Sequence, residues 1–237
     1  MSKAPGIARP HFYWKGLHVQ YIVPWSSEVP LGGLLIRTSF EGVPGIGYLD
    51  ELPVIDRRHG ALWIRKAVAP GKGEALLDGV HPLRQRQAMA HSLCQVCGHG
   101  TLDALWEFWG ERQLVVMRSL KAGDVIDEGE ITTSPTIHLG CALESVSACK
   151  HLLKGWTAAL VKYAVPWGVA GILHDRRTLQ PLLEQGQELT YRPFGHADYS
   201  WIKAARKVMR LEGVTAVDLR ELAAEAEAAG LPLTSTG

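Results

Sequence analysis

The sequence has little cysteine, almost no net charge and no long apolar run, and each shortage excludes a class of protein. Only four cysteines occur in 237 residues, which is too few for a small secreted domain held together by disulfides. The formal net charge is +1, so the chain as a whole is not attracted to nucleic acid or membranes. The most apolar late stretch, 158–173, is interrupted by Lys162 and Pro166 and is too short to span a bilayer.

The remaining composition is that of an ordinary folded protein. Hydrophobic residues make up 46% of the chain and charged residues 21%. The length suits one large domain or two small ones, and we expect residues 1–237 to form a single compact unit. Residues 1–15 contain no apolar stretch, so we expect no signal peptide, no membrane association and a cytoplasmic location.

Two pairs of residues have the spacing of metal ligands. Cys94 and Cys97 form a C-x-x-C pair, followed directly by Gly98, and His138 and Cys141 repeat the same spacing further along. Zn²⁺ prefers four sulfur or nitrogen ligands in a tetrahedron, and a tight turn lets two sulfurs converge. The sequence therefore predicts a zinc site. Because four protein ligands leave no open position, we expect the zinc to be structural.

Other interpretations of the same residues stay open. His99 could replace His138 as a ligand. Cys149 and His151 lie too far along the predicted helix to share the metal, since eight helical residues span about 12 Å, so they belong to a second site or to none. Buried free cysteines and a redox C-x-x-C are the remaining alternatives, but no thioredoxin-like pattern follows the pair.

The hydrophobic pattern predicts an α+β fold with an antiparallel sheet, a central treble-clef-like zinc module and C-terminal helices. We expect a β-rich part over 17–70, the zinc module over 81–153 and an α/β part over 156–230. The individual predictions are helices over 82–93, 141–153, 179–185, 199–211 and 219–229, a hairpin within 104–117, a hairpin around Pro166 and a strand over 188–192. Asp218 and Gly230 are predicted to cap the last helix.

Residues 83–153 are predicted to contain a zinc knuckle, then a hairpin, then a helix that supplies the last two ligands. Treble-clef zinc fingers have the same arrangement. This segment thus resembles that class, which includes the HNH nucleases. Those nucleases carry a catalytic histidine on the hairpin, whereas no histidine occurs between Gly100 and Ile137. The resemblance therefore implies the scaffold without the nuclease activity.

A wider resemblance rests on three segments. Residues 81–98 read His-Pro-Leu-Arg-Gln-Arg through Leu-Cys-Gln-Val-Cys-Gly, residues 23–26 read Val-Pro-Trp-Ser, and 48–51 read Tyr-Leu-Asp-Glu. In these the chain is similar to an uncharacterised bacterial zinc-binding family. The resemblance implies a bacterial cytosolic zinc protein without an established activity. Members of that family have a second C-x-x-C pair, so His138 is a conservative ligand exchange.

Two interpretations of the function remain open, and each has its own set of candidate residues. A binding protein for nucleic acid or a protein partner is the preferred interpretation, and the alternative is a small-molecule enzyme with a structural zinc. Cations that suit phosphate contacts, or that form an ordinary solvated face, are Arg84, Arg86, Lys203, Arg206, Lys207 and Arg210. Residues that would form the enzyme's active site are Trp25, Asp50, Glu51, Asp56, His59 and His196.

Overall fold

Two long antiparallel strands, β9 (Trp156–His174) and β12 (Ile202–Ala216), form the centre of the protein in a computed structural model. The structure describes residues 11–119, 121, 123–182 and 189–233. Its other elements are β1 (Phe12–Trp14), β2 (Leu17–Val19), β3 (Leu35–Phe40), β4 (Val43–Tyr48), α1 (Pro53–Asp56), β5 (Arg57–Arg58), β6 (Ala61–Trp63), α2 (Pro82–His91), α3 (Ala104–Phe108), β7 (Gln113–Arg118), β8 (Ile131–Thr132), α4 (Leu139–Ala148), β10 (Pro181–Leu182), β11 (Thr190–Pro193) and α5 (Leu219–Ala228).

The main sheet has eight strands and joins all three predicted parts of the chain. One edge of β9 pairs with β12, and its other edge pairs with β7, β11 and β10 in turn. The far edge of β12 pairs with β8 and, in parallel, with β6, which continues to β5. The sheet is therefore mixed rather than purely antiparallel. In the first third of the chain, β1–β2 and β3–β4 form two separate hairpins.

The helix predicted over residues 199–211 is wrong. A short 3₁₀ turn, Tyr199–Trp201, leads directly into β12, which then runs without interruption. The register against β9 shifts between Ala204 and Arg206 and again between Val208 and Met209. These bulges break the two-residue alternation of buried side chains, and the resulting spacing resembles that of a helix. The predicted C-terminal helices thus reduce to α5.

The hairpin predicted around Pro166 is also wrong, because β9 continues through this residue. Pro166 pairs with Met209 and Gly168 pairs with Val208, so Trp167 is an extra residue in a bulge. Proline has no amide hydrogen, and a bulge is one of the few places where a strand tolerates it. The segment 179–185 was predicted as a helix, but it contains β10, and 183–188 lies outside the described residues.

The hairpin predicted within 104–117 is replaced by helix α3 and strand β7. Asp103 caps α3 by accepting hydrogen bonds from the amides of Leu105 and Trp106. Strands β7 and β8 pair with β9 and β12, not with each other. Among the described residues, the treble-clef hairpin between the knuckle and α4 is therefore absent.

Several predicted helix boundaries are confirmed. Helix α2 begins at Pro82, and α5 begins after Asp218, whose carboxylate accepts from the amides of Arg220 and Glu221. Helix α5 packs beside α4 on a cluster of buried residues that reaches the predicted ligands. The buried members of that cluster are Cys94, Val96, Leu105, Leu114, Val116, Ile137, Leu139, Cys141, Ala142, Ala158, Leu160, Leu219, Leu222 and Ala226.

Candidate metal centre and the residues around it

The first two candidate ligands lie in a tight turn, here called the knuckle (residues 93–100). Leu93 and Gly100 form an isolated antiparallel bridge at its base. The amide of Gly98 donates to the carbonyl of Cys94 at 2.9 Å, and the amide of Cys94 donates to the carbonyl of His99 at 2.7 Å. Gly98 has φ of 75°, a left-handed conformation that glycine adopts readily. The turn directs both cysteine side chains toward one point.

The other two ligands lie at the start of α4. His138 is the residue before its first turn and Cys141 lies within that turn, so a three-residue separation places both side chains on one side. The amide of Ile137, just before this pair, donates to the carbonyl of Leu114 on β7 at 3.0 Å. The knuckle is fixed to the same region, because the amide of Gln95 donates to the carbonyl of Thr136 at 3.0 Å.

The structure brings the four predicted ligands together. One donor atom from each of Cys94, Cys97, His138 and Cys141 lies within 4.8 Å of the others. Cys94, His138 and Cys141 are buried, and Cys97 is half-buried. Adjacent ligands on a tetrahedral zinc with Zn–S near 2.3 Å are about 3.8 Å apart. The four side chains therefore need only a small contraction to coordinate an ion, and this donor set fits a metal.

Hydrogen bonds from neighbouring groups orient these donors. The Nδ1 atom of His138 faces Cys97 Sγ at 3.3 Å, while its Nε2 lies 3.0 Å from the carbonyl oxygen of Gly100 and 3.5 Å from Asp103 Oδ2. The amides of Val96 and His138 point at Cys94 Sγ from 3.4 and 3.5 Å. Such second contacts fix the histidine tautomer that leaves Nδ1 free to coordinate.

The protonation of the cluster is strongly coupled. Hydrogen bonds from Cys141 and then Cys94 hold the pKa of the Cys97 thiol far below its usual range, whereas the sulfurs of Cys94 and Cys97 raise the pKa of Cys141. Burial lowers the pKa of His138, but its bonds to Cys94 and Cys97 outweigh burial and raise it to about 11. These contacts thus favour the thiolate form of Cys97 and the protonated form of His138. A divalent cation satisfies such donors by replacing their protons.

The open alternatives for ligands resolve in favour of this quartet. His99 contributes its carbonyl to the knuckle, but its imidazole is not one of the four converging donors. Cys149 follows the last residue of α4, and His151 Nε2 lies 2.9 Å from Asp78 Oδ1. Both residues border a separate cavity of about 320 Å³.

Arg84, one of the six cations considered for phosphate contacts, lies inside the protein. Its guanidinium donates to both carboxylate oxygens of Glu28, at 2.5 and 2.7 Å, and to the carbonyl of Val23. Glu28 is itself 1% exposed and accepts from the amides of Trp25 and Ala69. Arg84 is therefore neutralised inside the protein and is not available for phosphate contacts.

The other five cations fall into different surroundings. Arg86 and Lys207 border one cavity of about 250 Å³, and Arg206 borders the cavity beside Cys149. Lys203 is half-buried on β12, and burial lowers its pKa. Arg210 is exposed and pairs with Glu212 at 2.7 Å. Only Arg86 and Lys207 of this set thus face the same cavity.

The six residues of the alternative active site do not all meet at one point. Trp25 is buried in a cluster with Val19, Val23 and Ala75. The acidic members are each paired with an arginine: Glu51 with Arg57 at 2.5 Å, Asp56 with Arg65 at 2.6 Å and Asp50 with Arg65 at 3.0 Å. His59 and His196 border a common cavity, and the His196 Nδ1 atom accepts from the amide of Asp198.

Three residues that hold the fold or the metal site together were not among the sequence-based candidates. Glu28 neutralises Arg84, Asp103 lies beside His138, and the fully buried Gln85 joins α2 to β12. Asp103 carries a local signal, because Asp before Ala-Leu-Trp-Glu is a typical helix N-cap, but that signal says nothing of the metal. The partners of Glu28 and Gln85 are distant in sequence.

The chain matches no protein-family model, no curated protein and no solved structure. The resemblances to treble-clef fingers and to a bacterial zinc-binding family stay expectations. Among the described residues, no helix combines the length and apolarity that crossing a membrane requires.

Proposed function

We propose that this protein is a nucleic-acid-binding protein whose fold is stabilised by a structural zinc ion. The observation that carries the zinc is the buried quartet of Cys94, Cys97, His138 and Cys141. Three thiolates and one imidazole are the donor set that favours Zn²⁺ over Mg²⁺, Ca²⁺ or Mn²⁺, which prefer oxygen. A bacterial cytosolic location, where thiols stay reduced, belongs to the same proposal.

The zinc has a structural role in this proposal because four protein donors fill a tetrahedron. A catalytic zinc keeps one position open for water or substrate. The quartet instead connects the knuckle to the start of α4, next to the core on which α5 packs. Bound zinc would therefore supply folding free energy to this end of the molecule.

Nucleic acid is favoured as the partner by the local distribution of charge. The net charge is only +1, yet Arg86 and Lys207, far apart in sequence, border one cavity whose lining contains no aspartate or glutamate. Phosphate contacts from arginine and lysine provide most of the affinity of non-specific nucleic-acid binding. The enzyme alternative has no comparable support, since its carboxylates are occupied by Arg57 and Arg65.

Salt dependence tests the proposed partner. Fluorescence anisotropy with labelled single-stranded and double-stranded DNA and RNA should show binding that weakens steeply as salt rises from about 50 to 200 mM, because released counterions drive it. Binding should also be lost when zinc is removed by chelation. If none of the four probes binds at the lowest salt, the nucleic-acid function is contradicted, whereas the zinc site is unaffected by that result.

A further inference from the structure

A cavity of about 250 Å³ lies between helix α2, the β5–β6 turn and strands β9 and β12. Its charged lining residues are Arg58, Arg86 and Lys207, and His59 and His91 add two imidazoles. No aspartate or glutamate borders it. Cations from three separate elements thus face one partly enclosed space, and no aspartate or glutamate lines it.

These cations have no carboxylate partner among the residues that the structure describes. Arg58 donates only to the backbone carbonyls of Val54 and Arg57. The guanidinium of Arg86 stacks on the ring of Trp63 at 4.5 Å and meets no hydrogen-bond acceptor within the described chain. The Lys207 ammonium, likewise, has no polar partner in the described ranges. Proteins rarely leave such charges together in a partly enclosed space without an anion.

The positive charges of these residues also repel one another. Burial and the nearby charge of Arg58 lower the pKa of Arg86 to about 10, and burial lowers the pKa of Lys207. An anion in the cavity would relieve both effects, because an opposite charge favours the ionised form of each cation. A bound anion would therefore offset the repulsion among these cations.

Hydrogen bonds from Gln85 join the two backbone segments that carry Arg86 and Lys207. The neighbouring residue Gln85 accepts from the Lys207 amide at 2.9 Å and donates to the Lys207 carbonyl at 2.9 Å. Its amide also donates to the carbonyl of Thr133 at 2.8 Å. This side chain joins α2 to β12 beside both cations, so the two backbone segments need no rearrangement on binding.

We propose that this cavity binds the terminal phosphate of a phosphate monoester, which a nucleotide or the phosphorylated end of a nucleic-acid strand would provide. Two guanidinium groups and one ammonium match a dianion with three terminal oxygens better than a single carboxylate. A phosphodiester within a strand carries a single negative charge, so it offsets fewer of these cations than a terminal phosphate with nearly two charges does. Phe194 lies at its border beside His59, with ring centroids 5.3 Å apart, where an attached base can stack.

This inference deepens the proposed function by naming the ligand chemistry, and it rests on that function only for the nucleic acid as source. The probes are inorganic phosphate, adenosine 5′-monophosphate, and one oligonucleotide sequence bearing either a 5′-phosphate or a 5′-hydroxyl. Calorimetry with the unsubstituted protein should give one saturable site for the monophosphate, and inorganic phosphate should compete for it. The 5′-phosphorylated oligonucleotide should bind more tightly than its 5′-hydroxyl counterpart.

Three variants locate the site. Arg86→Gln and Lys207→Met should each weaken monophosphate binding about tenfold or more, and Lys207→Met keeps the backbone bonds to Gln85. Arg220→Gln is the matched control, since Arg220 is exposed on α5 outside the cavity, and it should bind normally. Thermal unfolding verifies that each variant is folded.

Each outcome separates the two proposals. Cavity-dependent binding of phosphate and monophosphate without binding of either oligonucleotide would support the pocket and contradict the nucleic-acid function. Equal binding of both oligonucleotides, unaffected by the two cavity variants, would overturn the pocket and support the broader function. Failure of all probes to bind would contradict both.

Discussion

The Nδ1 atom of His138 lies 3.3 Å from the Sγ atom of Cys97, although 41 positions separate the two residues. This contact links the knuckle to the residue that immediately precedes α4. It places an imidazole against sulfur in a buried space, with the second ring nitrogen bound to the carbonyl of Gly100. The arrangement is that of a metal ligand held by an outer hydrogen bond.

Substitution of His138 distinguishes metal ligation from ordinary packing. His138→Cys should retain one bound zinc, because a thiolate is an equivalent ligand, whereas His138→Ala should lose zinc affinity and the metal-dependent part of the stability. Metal content and thermal unfolding with and without chelator provide the measurements. Cys149→Ser is the control, since Cys149 lies outside the quartet, and its zinc content should not change. Equal zinc content in the histidine-to-alanine variant would exclude His138 as a ligand.

The buried pair of Glu28 and Arg84 should make a large contribution to the free energy of unfolding. Glu28→Gln leaves the Arg84 guanidinium buried without its counter-ion, and breaking such a pair costs about 3–5 kcal/mol. Chemical denaturation measures this loss. The control Glu212→Gln removes an exposed partner of Arg210 and should cost less than about 1 kcal/mol. Similar losses in the two variants would show that burial does not give the Glu28 pair its importance.

Protonation of Glu28 and Asp56 should contribute to the unfolding of the protein in acid. Burial raises the pKa of Glu28, but hydrogen bonds from Arg84 and two backbone amides outweigh it and lower the pKa below its ordinary 4.5. Arg65 lowers the pKa of Asp56 below its ordinary 3.8. The unfolded chain therefore takes up protons at higher pH than the folded chain, so stability is lost as pH falls below about 4.5. Glu28→Gln should flatten this dependence of the unfolding free energy on pH, and an unchanged slope would argue against the assignment.

Gln85 should contribute to stability through its bonds rather than its bulk. Gln85→Leu removes the bonds to Lys207 and Thr133 and leaves their backbone groups unpaired, at a cost of about 2 kcal/mol or more. Gln87→Leu, on the same helix, removes one bond to the Tyr21 hydroxyl and should cost less. Denaturant unfolding of both variants measures the difference, and a smaller loss for Gln85→Leu would contradict the role of this residue.

The metal site was predictable because its signal is local. Cys94 and Cys97 share one turn, and His138 and Cys141 flank the start of one helix, so spacing alone reveals each pair. The convergence of the two pairs follows from the preference of a metal for four ligands. The N-cap of α5 was predictable for the same reason, since Asp218 bonds to residues two and three positions away, whereas the C-cap is Ala229, one residue before the predicted Gly230.

Features that depend on distant pairing were not predictable. Whether residues 202–211 form a helix or a strand is decided by β9, and the bulges at Ala205 and Trp167 alter the period that sequence patterns rely on. The pairing of Arg84 with Glu28 could not be predicted from local spacing, because the two residues are 56 positions apart. The meeting of Arg86 with Lys207 likewise depends on Gln85 joining α2 to β12.

X-ray absorption spectroscopy at the zinc edge of purified full-length protein, combined with metal analysis, tests the central claim most directly. The account predicts one zinc per chain, coordinated by three sulfurs near 2.3 Å and one nitrogen near 2.0–2.1 Å. A metal-free protein, or a zinc ion with fewer than three sulfur ligands or with a bound water, would contradict it.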